Sequence, residues 1–242
     1  MEPIKLIDVS VRIGDRTILN KLSVGFAQNK VTAIIGKSGS GKSTLLKTIN
    51  GLQKPTQGKV SVFESPIDYH NLQGLRKQIG YVVQGIGLFP HLTVENNILL
   101  VGKAHLPERE IRQERLHELM KLVNLPEHLY KKYPYELSGG EQQRAGICRA
   151  LFLDPPVILM DEPFGSLDPV TRYDIHLEFI RLQRTVPRTV LLVTHDMREA
   201  KKLADEILVI DSGNVHQFGA TQEIFDHPAT EVVKELIMVA EV

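Results

Sequence analysis

The stretch that most constrains the fold is Gly36-Lys37-Ser38-Gly39-Ser40-Gly41-Lys42-Ser43. It lies between an apolar, β-branched run, Val31–Ile35, and a helical pattern over residues 42–50. A strand that passes through a tight turn directly into a helix points to a β-α-β arrangement with parallel strands. The spacing G-x-x-x-x-G-K-[ST] has a chemical reason at such a turn. Glycines let backbone N–H groups close around phosphate oxygens, and the helix N-terminus adds a favourable dipole for an anion. Lys42 then meets the β- and γ-phosphates, and the Ser43 hydroxyl coordinates Mg²⁺. A plain Gly/Ser turn explains the bend but not the lysine and hydroxyl in order behind it. Nucleotide binding is expected; kinases, GTPases, helicases and transport ATPases all remain open at this point.

Other short apolar runs read as strands: residues 4–13, 22–26, 59–63, 79–83, 157–160, 189–193 and 206–210. Helical patterns cover 169–184 and 198–203, so strands and helices alternate and an α/β domain with a largely parallel sheet follows. Between residues 90 and 153 the character changes to helical. Residues 106–123 carry an apolar stripe of Ile111, Leu116, Leu119, Leu122 and Val123, and two further helical stretches are expected at 127–132 and 138–153.

Composition narrows the function classes. The 242 residues carry 29 Lys+Arg against 29 Asp+Glu, so the net charge of zero gives no support for a generally basic nucleic-acid binder. Cys148 is the lone cysteine, which excludes an intrachain disulfide framework and any all-Cys metal site. The longest apolar stretches fall far short of the ~18 residues that a membrane-crossing helix needs, and residues 1–5 lack the basic patch and apolar run of a secretory signal. Any work at a membrane is expected to go through a partner.

Two further stretches carry chemistry. The run 157–160 ends in Asp161 and Glu162, at the carboxyl end of a strand, where ligands of parallel sheets gather. Asp161 suits Mg²⁺, and Glu162 suits the orientation or deprotonation of a water that attacks a γ-phosphate. Leu137-Ser138-Gly139-Gly140-Glu141-Gln142-Gln143-Arg144 opens as a helix, with Ser138 as N-cap and Glu141 closing a capping box. Two glycines in a first helical turn cost roughly 1 kcal/mol each relative to alanine. They make sense where a bare helix N-terminus must approach an anion closely.

This last stretch resembles the signature motif of the ATP-binding cassette family, and the rest agrees in order and spacing. The phosphate loop runs from Gly36 to Thr44, Gln84 looks like the Q-loop glutamine, and 157–161 with Glu162 looks like Walker B. Ser166-Leu167-Asp168 resembles the D-loop, and His195 the switch histidine. The resemblance covers essentially the whole chain. It implies a P-loop NTPase core with a largely parallel sheet, an N-terminal antiparallel β portion and an inserted helical subdomain. The expected division of one nucleotide-binding domain, 1–242, is a core at 1–86 and 155–220, a helical signature subdomain at 87–154 and a short tail at 221–242.

The resemblance also implies ATP and Mg²⁺ as cofactors and a homodimer in the ATP-bound state. ATP is then held by Gly36, Ser38, Gly39, Gly41, Lys42, Ser43 and Thr44 of one chain and by Ser138, Gly139 and Gly140 of the other, with Asp168 nearby. Mg²⁺ falls to Ser43, Gln84 and Asp161. Catalysis falls to Glu162, His195 and Gln84. Family members usually stack adenine on an aromatic residue where this chain has Ile13, before Gly14, so weaker stacking and looser discrimination of ATP from GTP are expected. The signature's usual Gln is Glu141 here. Its carboxylate either turns back to cap the helix or points outward and repels the γ-phosphate.

A transporter ATPase is the leading expectation. The stretch between Gln84 and Leu137 leaves no room for a long coiled coil, and the cysteines are too few for zinc modules, which argues against a non-transport cassette acting on nucleic acid or ribosomes. A P-loop kinase gives no reason for the signature or for His195. The wording of residues 160–172 and of the tail, 213–228, resembles importers, above all those of osmoprotectants such as glycine betaine; an exporter is the alternative. Expected partners are integral permease subunits and a solute-binding protein, and no nucleic acid, with the chain at the cytoplasmic face of the membrane. The apolar segment 85–92, with Leu88 and Phe89, is the expected permease contact; the competing expectation has both side chains filling local core.

Overall fold

The computed structural model describes residues 1–85 and 87–241; Ile86, within the apolar segment after Gln84, and Val242 lie outside the described residues, as does the side chain of residue 241. In chain order the strands are β1 (Ile4–Ile13), β2 (Arg16–Phe26), β3 (Val31–Ile35), β4 (Gln57–Val62), β5 (Ser65–Pro66), β6 (Ile79–Val82), β7 (Val157–Asp161), β8 (Thr189–Val193), β9 (Glu206–Asp211) and β10 (Asn214–Ala220). The helices are α1 (Lys42–Ile49), α2 (Gln73–Lys77), α3 (Val94–His105), α4 (Arg109–Leu122), α5 (Gly139–Leu151), α6 (Pro169–Thr185), α7 (Met197–Leu203), α8 (Thr221–Asp226) and α9 (Glu231–Glu241). These form two compact units, Met1–Arg76 with the chain from Arg188 onward, and Lys77–Pro187.

In the first unit, β1 lies between β2 and β4 in an antiparallel sheet that β5 extends. Its pairing with β2 slips between Leu6 and Val9, where Asp8 and Lys21 take positive φ. A bulge of this kind leaves polar groups to be met locally. The Ser23 hydroxyl meets them, accepting from the Asp8 N–H at 2.9 Å and donating to the Asp8 carboxylate at 3.1 Å.

The second sheet of this unit centres on β3. It pairs in parallel with β8, Val31 opposite Val190, and with β9, Thr32 opposite Glu206, while β10 adds antiparallel to β9. Every residue of β3 and β8 is buried, as continuous apolar runs with covered faces require. Ala33, Ile35, Ile207 and Val209 of the sheet pack with Met197 and Ala200 of α7, Ile224 of α8, and Val233 and Ile237 of α9. Each fully buried aliphatic side chain contributes about 1.5–3 kcal/mol. Residues 221–241, where no element was expected, thus form two helices held by this core.

In the second unit, β6 and β7 pair in parallel, Ile79 opposite Val157 and Val82 opposite Met160. The expected stripe of the 106–123 helix needs correction. Leu116, Leu119 and Val123 are buried, but Met120 completes the face, while Ile111 and Leu122 stand exposed. The period of 3.6 carries 116, 119, 120 and 123 to one side and leaves 111 and 122 outside it. The stretch 127–132 is also not a full helix; only Glu127–Leu129 makes a single 3₁₀ turn. Its next carbonyls are taken up elsewhere, that of Tyr130 by the Glu95 N–H at 3.1 Å and that of Lys132 by the Val94 N–H at 2.8 Å. Pro134 then keeps Tyr133 extended.

Candidate nucleotide site

The phosphate loop joins β3 to α1, and two of its glycines are dictated by space and backbone. A side chain at Gly36 would run into the Ile210 carbonyl oxygen. Gly41 has φ +104°, and a Cβ there would stand 2.8 Å from the Ile18 carbonyl. Gly41 also serves as N-cap of α1 without any side-chain cap, and no acid lies in the first turn. The helix therefore presents the positive end of its dipole without an acidic cap.

Lys42 is only 6% exposed, and its ammonium folds back to donate to the carbonyls of Gly36, at 2.8 Å, and Lys37, at 2.9 Å. A cation parked on its own loop marks the spot where a phosphate would be met. Ser40 is buried and its hydroxyl has no hydrogen-bond partner among the described residues. Such an orphan is costly unless a ligand or water completes it. Ser38 and Gly39 are exposed, while Ser43 and Thr44 are half-buried in the first turn of α1. Beyond the expected set, the Lys37 ammonium reaches the Glu235 carboxylate of α9 at 3.2 Å, both exposed.

His195 follows β8 and is exposed rather than a core histidine. The parallel register sets Ile34 beside Val193, so His195 leaves the sheet level with the start of the phosphate loop. Its backbone is pinned on both sides. The Thr194 N–H donates to the Ile34 carbonyl at 3.2 Å, and the Asp196 carboxylate caps α7 through the Arg198 N–H at 2.8 Å. Ile13 ends β1 opposite Arg16, 55% exposed, next to Gly14 at φ +57°.

In the second unit, Asp161 closes β7 and is 3% exposed, and Glu162 follows it with φ +46°. A non-glycine residue in this region carries strain of about 1–2 kcal/mol, which clusters at functional sites. Gln84 donates from Nε2 to the Glu162 carboxylate at 3.3 Å, so the structure brings these two expected residues together. Tyr81, three residues before Gln84, was not singled out by the sequence. Burial pushes its hydroxyl pKa up, and so do the Asp161 charge and a hydrogen bond to that carboxylate. Only the strand register, not any motif, could have disclosed that contact.

The signature turn packs on the segment that follows Glu162. A Cβ at Gly139 would lie 3.5 Å from Leu167, and one at Gly140 would run into the Thr171 methyl. Ser138 caps α5, accepting from the Glu141 N–H at 3.3 Å. The Glu141 carboxylate turns back and accepts from the Ser138 N–H and hydroxyl, both at 2.8 Å. Burial raises its pKa, but those two donors and the charges of His128 and Lys132 outweigh it and leave it lowered. Asp168 caps α6, accepting from the N–H groups of Val170 and Thr171 at 3.2 and 3.1 Å. The Thr171 and Val170 bonds hold its carboxyl below the usual range. Arg144 clamps Glu178 through two bonds, 3.0 and 3.1 Å, and so ties α5 to α6.

Phe89 is 44% exposed, and Leu88 is half-buried, so the ring does not fill local core. It lies edge-on to His91, with centroids 5.9 Å apart, and beneath the Arg149 guanidinium at 5.8 Å. Among the described residues no helix is long and apolar enough to cross a membrane.

The comparisons with known proteins agree with the motifs. The family model described as ABC transporter matches residues 19–165. The glycine betaine/carnitine/choline transport ATP-binding protein OpuCA of Bacillus subtilis is 46% identical over 235 residues, 97% of this chain and 62% of that protein. The glycine betaine uptake system ATP-binding protein YehX of Escherichia coli is 42% identical, covering 94% of this chain and 74% of that one. The chain spans 56–62% of the length of the first curated relatives that it matches. Among solved structures, the ATP-binding cassette MJ0796 in a dimeric post-hydrolysis state with ADP and Pi is similar, with a TM-score of 0.81 and 33% identity, covering 90% of this chain and 98% of that one. With its family model matched over more than half its length, its fold shared with a solved cassette and its motifs in order, the chain belongs to the ABC transporter family.

Proposed function

We propose that this chain is the ATP-hydrolysing subunit of an importer, acting as a homodimer on the cytoplasmic face of a membrane with separate permease subunits. The observation that carries hydrolysis is the Gln84–Glu162 contact at the end of β7. A carboxylate held on a strained backbone, with an amide on one oxygen, suits a base that takes the proton from the water attacking the γ-phosphate. Gln84 aligns that carboxylate and the water. Lys42 neutralises the β- and γ-phosphates, His195 contacts the γ-phosphate, and Ser138 to Gly140 of the second copy close over it. Ser43, Asp161 and Gln84 offer hard oxygen donors of the kind Mg²⁺ prefers, and they fit the ion. Bound there, Mg²⁺ would offset the negative charge that develops on the phosphates. The division into a core at 1–86 and 155–220, a helical subdomain at 87–154 and a tail from 221 belongs to the same reading.

Several relatives are named for glycine betaine, carnitine, choline or osmoprotectants. Small quaternary-amine osmoprotectants are accordingly the proposed cargo, delivered by a solute-binding protein, and the exposed Phe89 is the proposed permease contact. The test is a pull-down of the Glu162→Gln protein with ATP from solubilised native membranes. Recovery of a permease and a solute-binding protein is expected. A permease without a binding protein would turn the reading to export, and ribosomes or repair proteins alone would overturn transport.

Two smaller effects follow. Because Glu141 is committed to its cap, Glu141→Gln should leave ATP turnover unchanged; a clear acceleration would mean that the carboxylate faces the γ-phosphate. Its lowered pKa stabilises the fold above the ordinary glutamate range, near pH 4, and that contribution fades as pH falls through the lowered value. At Ile13, a ring would add base stacking, worth about 1–3 kcal/mol. Ile13→Tyr should therefore tighten ATP binding by about five-fold or more in a titration, and equal affinity would refute the stacking argument.

A further inference from the structure

We propose that the crevice between α7, α8 and α9 is a binding site for a small organic anion, one with a carboxylate or phosphate head on a flat apolar body. The cavity measures about 270 Å³ and is lined by Arg198, Lys201 and Lys202 of α7, Phe225 of α8 and Ala240 of α9. None of these residues belongs to the phosphate loop.

Positions 198 and 201 fall on one face of α7, three residues apart, so two cations are stacked where like charges repel. A cation in a last helical turn favours the helix dipole, and that alone would explain an exposed Lys201. It does not explain the floor beneath them. Phe225 and Ala240 are partly buried against the core formed by Met197, Ala200, Ile224, Val233 and Ile237. Cationic walls above an apolar floor match a ligand that is itself part anion and part hydrocarbon.

The individual groups fit that ligand. The Lys201 ammonium stands 4.6 Å from the centroid of the Phe225 ring, and no carboxylate pairs with it among the described residues. A cation held only by a ring face gains from a charged partner. Arg198 reaches Asp196 only through Nε, at 3.4 Å, and its Nη groups make no bond to protein among the described residues. A guanidinium edge presents two parallel donors, the geometry that carboxylates and phosphates take up in pairs. The apolar body then lies on Phe225, and the head meets Arg198 and Lys201. The volume is of the order that a small metabolite fills.

The test uses the full chain and four probes, namely benzoate, phenyl phosphate, inorganic phosphate and benzylamine, with binding read by saturation-transfer NMR and calorimetry. Benzoate, phenyl phosphate or both should bind, and which of them binds identifies the head group. The double variant Arg198→Gln/Lys201→Gln, altered only at exposed side chains, should bind at least about ten-fold more weakly with an unchanged melting curve. Lys42→Met should leave this binding intact. The proposal falls if neither organic anion binds, or if benzylamine or inorganic phosphate binds as well as they do. It also falls if the double variant retains full affinity, or if Lys42→Met abolishes binding, which would place the anion on the phosphate loop.

Discussion

Glu162→Gln should cut ATP turnover by about 10²–10⁴-fold, the usual contribution of a positioned general base, while ATP still binds. The substitution keeps the shape of the side chain and its reach. The contact with Gln84 Nε2, 3.3 Å in the native chain, is also retained if the new amide presents its oxygen. What it removes is the ability to accept a proton from water. Glutamine tolerates φ +46° about as well as glutamate, so the strain at this position is unchanged and folding should not suffer. Phosphate release from excess ATP reads the loss, and size-exclusion chromatography with ATP reads the dimer, which should now persist. Turnover within a few-fold of the native chain would remove Glu162 as the base. Gln84→Ala spares the carboxylate and removes both its orienting amide and the Gln84 oxygen proposed for Mg²⁺, so it tests alignment and not proton transfer. A smaller loss of rate with preserved nucleotide binding is expected there.

The parts that were legible in the sequence are those that local chemistry decides. β1, β3 and β8 run over the residues expected of them, because their apolar runs end at turn residues that leave little choice. The cap of α5 was readable from Ser138 and Glu141 alone. α3 lies inside the segment expected to be helical, but it is not singled out as an element of its own. Val94, Asn96, Asn97 and Gly102 are poor helix formers, and tertiary packing overrides them. Val94, Ile98 and Leu99 are buried, and Asn97 spends its amide on the carbonyls of Phe89, Leu92 and Thr93. Gly102 is small so that the Phe152 ring can lie against the helix. A signal existed, since Val94, Ile98 and Val101 follow helical spacing behind the Thr93 cap. The same holds for α9, whose Val233 and Ile237 are four residues apart. At the candidate site, residue types and spacing announced the motifs, but contacts that depend on strand register stayed invisible. Tyr81 against Asp161 is of that kind, and Lys37 against Glu235 depends instead on how α9 packs.

Lys42→Met is expected to weaken ATP binding by about 10²-fold or more, because it removes a buried cation from the point where the phosphates carry most charge. Methionine keeps the aliphatic length of the side chain, so the loss is assigned to the ammonium and not to an empty space. The native group is paired with Gly36 O and Lys37 O, and binding exchanges those bonds for bonds to phosphate. Those two carbonyls therefore lose their donor in the variant even without nucleotide. The loop is exposed at residues 37–39, and water can reach the Lys37 carbonyl more readily than the carbonyl of buried Gly36. A modest cost follows, about 1 kcal/mol, well below the full penalty for an orphaned buried acceptor. Thermal unfolding of the nucleotide-free variant should thus shift by only a few degrees, while calorimetric titration with ATP shows the large effect. Lys42→Arg supplies the contrast. It restores the charge but not the compact, three-donor head, and a planar guanidinium cannot serve both Gly36 and Lys37 carbonyls inside so tight a turn. If Lys42→Arg recovered native affinity, charge alone would suffice and the fitted geometry of the loop would count for little. If Lys42→Met bound ATP normally, the loop would hold phosphate through its backbone N–H groups and the helix dipole, with the lysine serving only its own carbonyls.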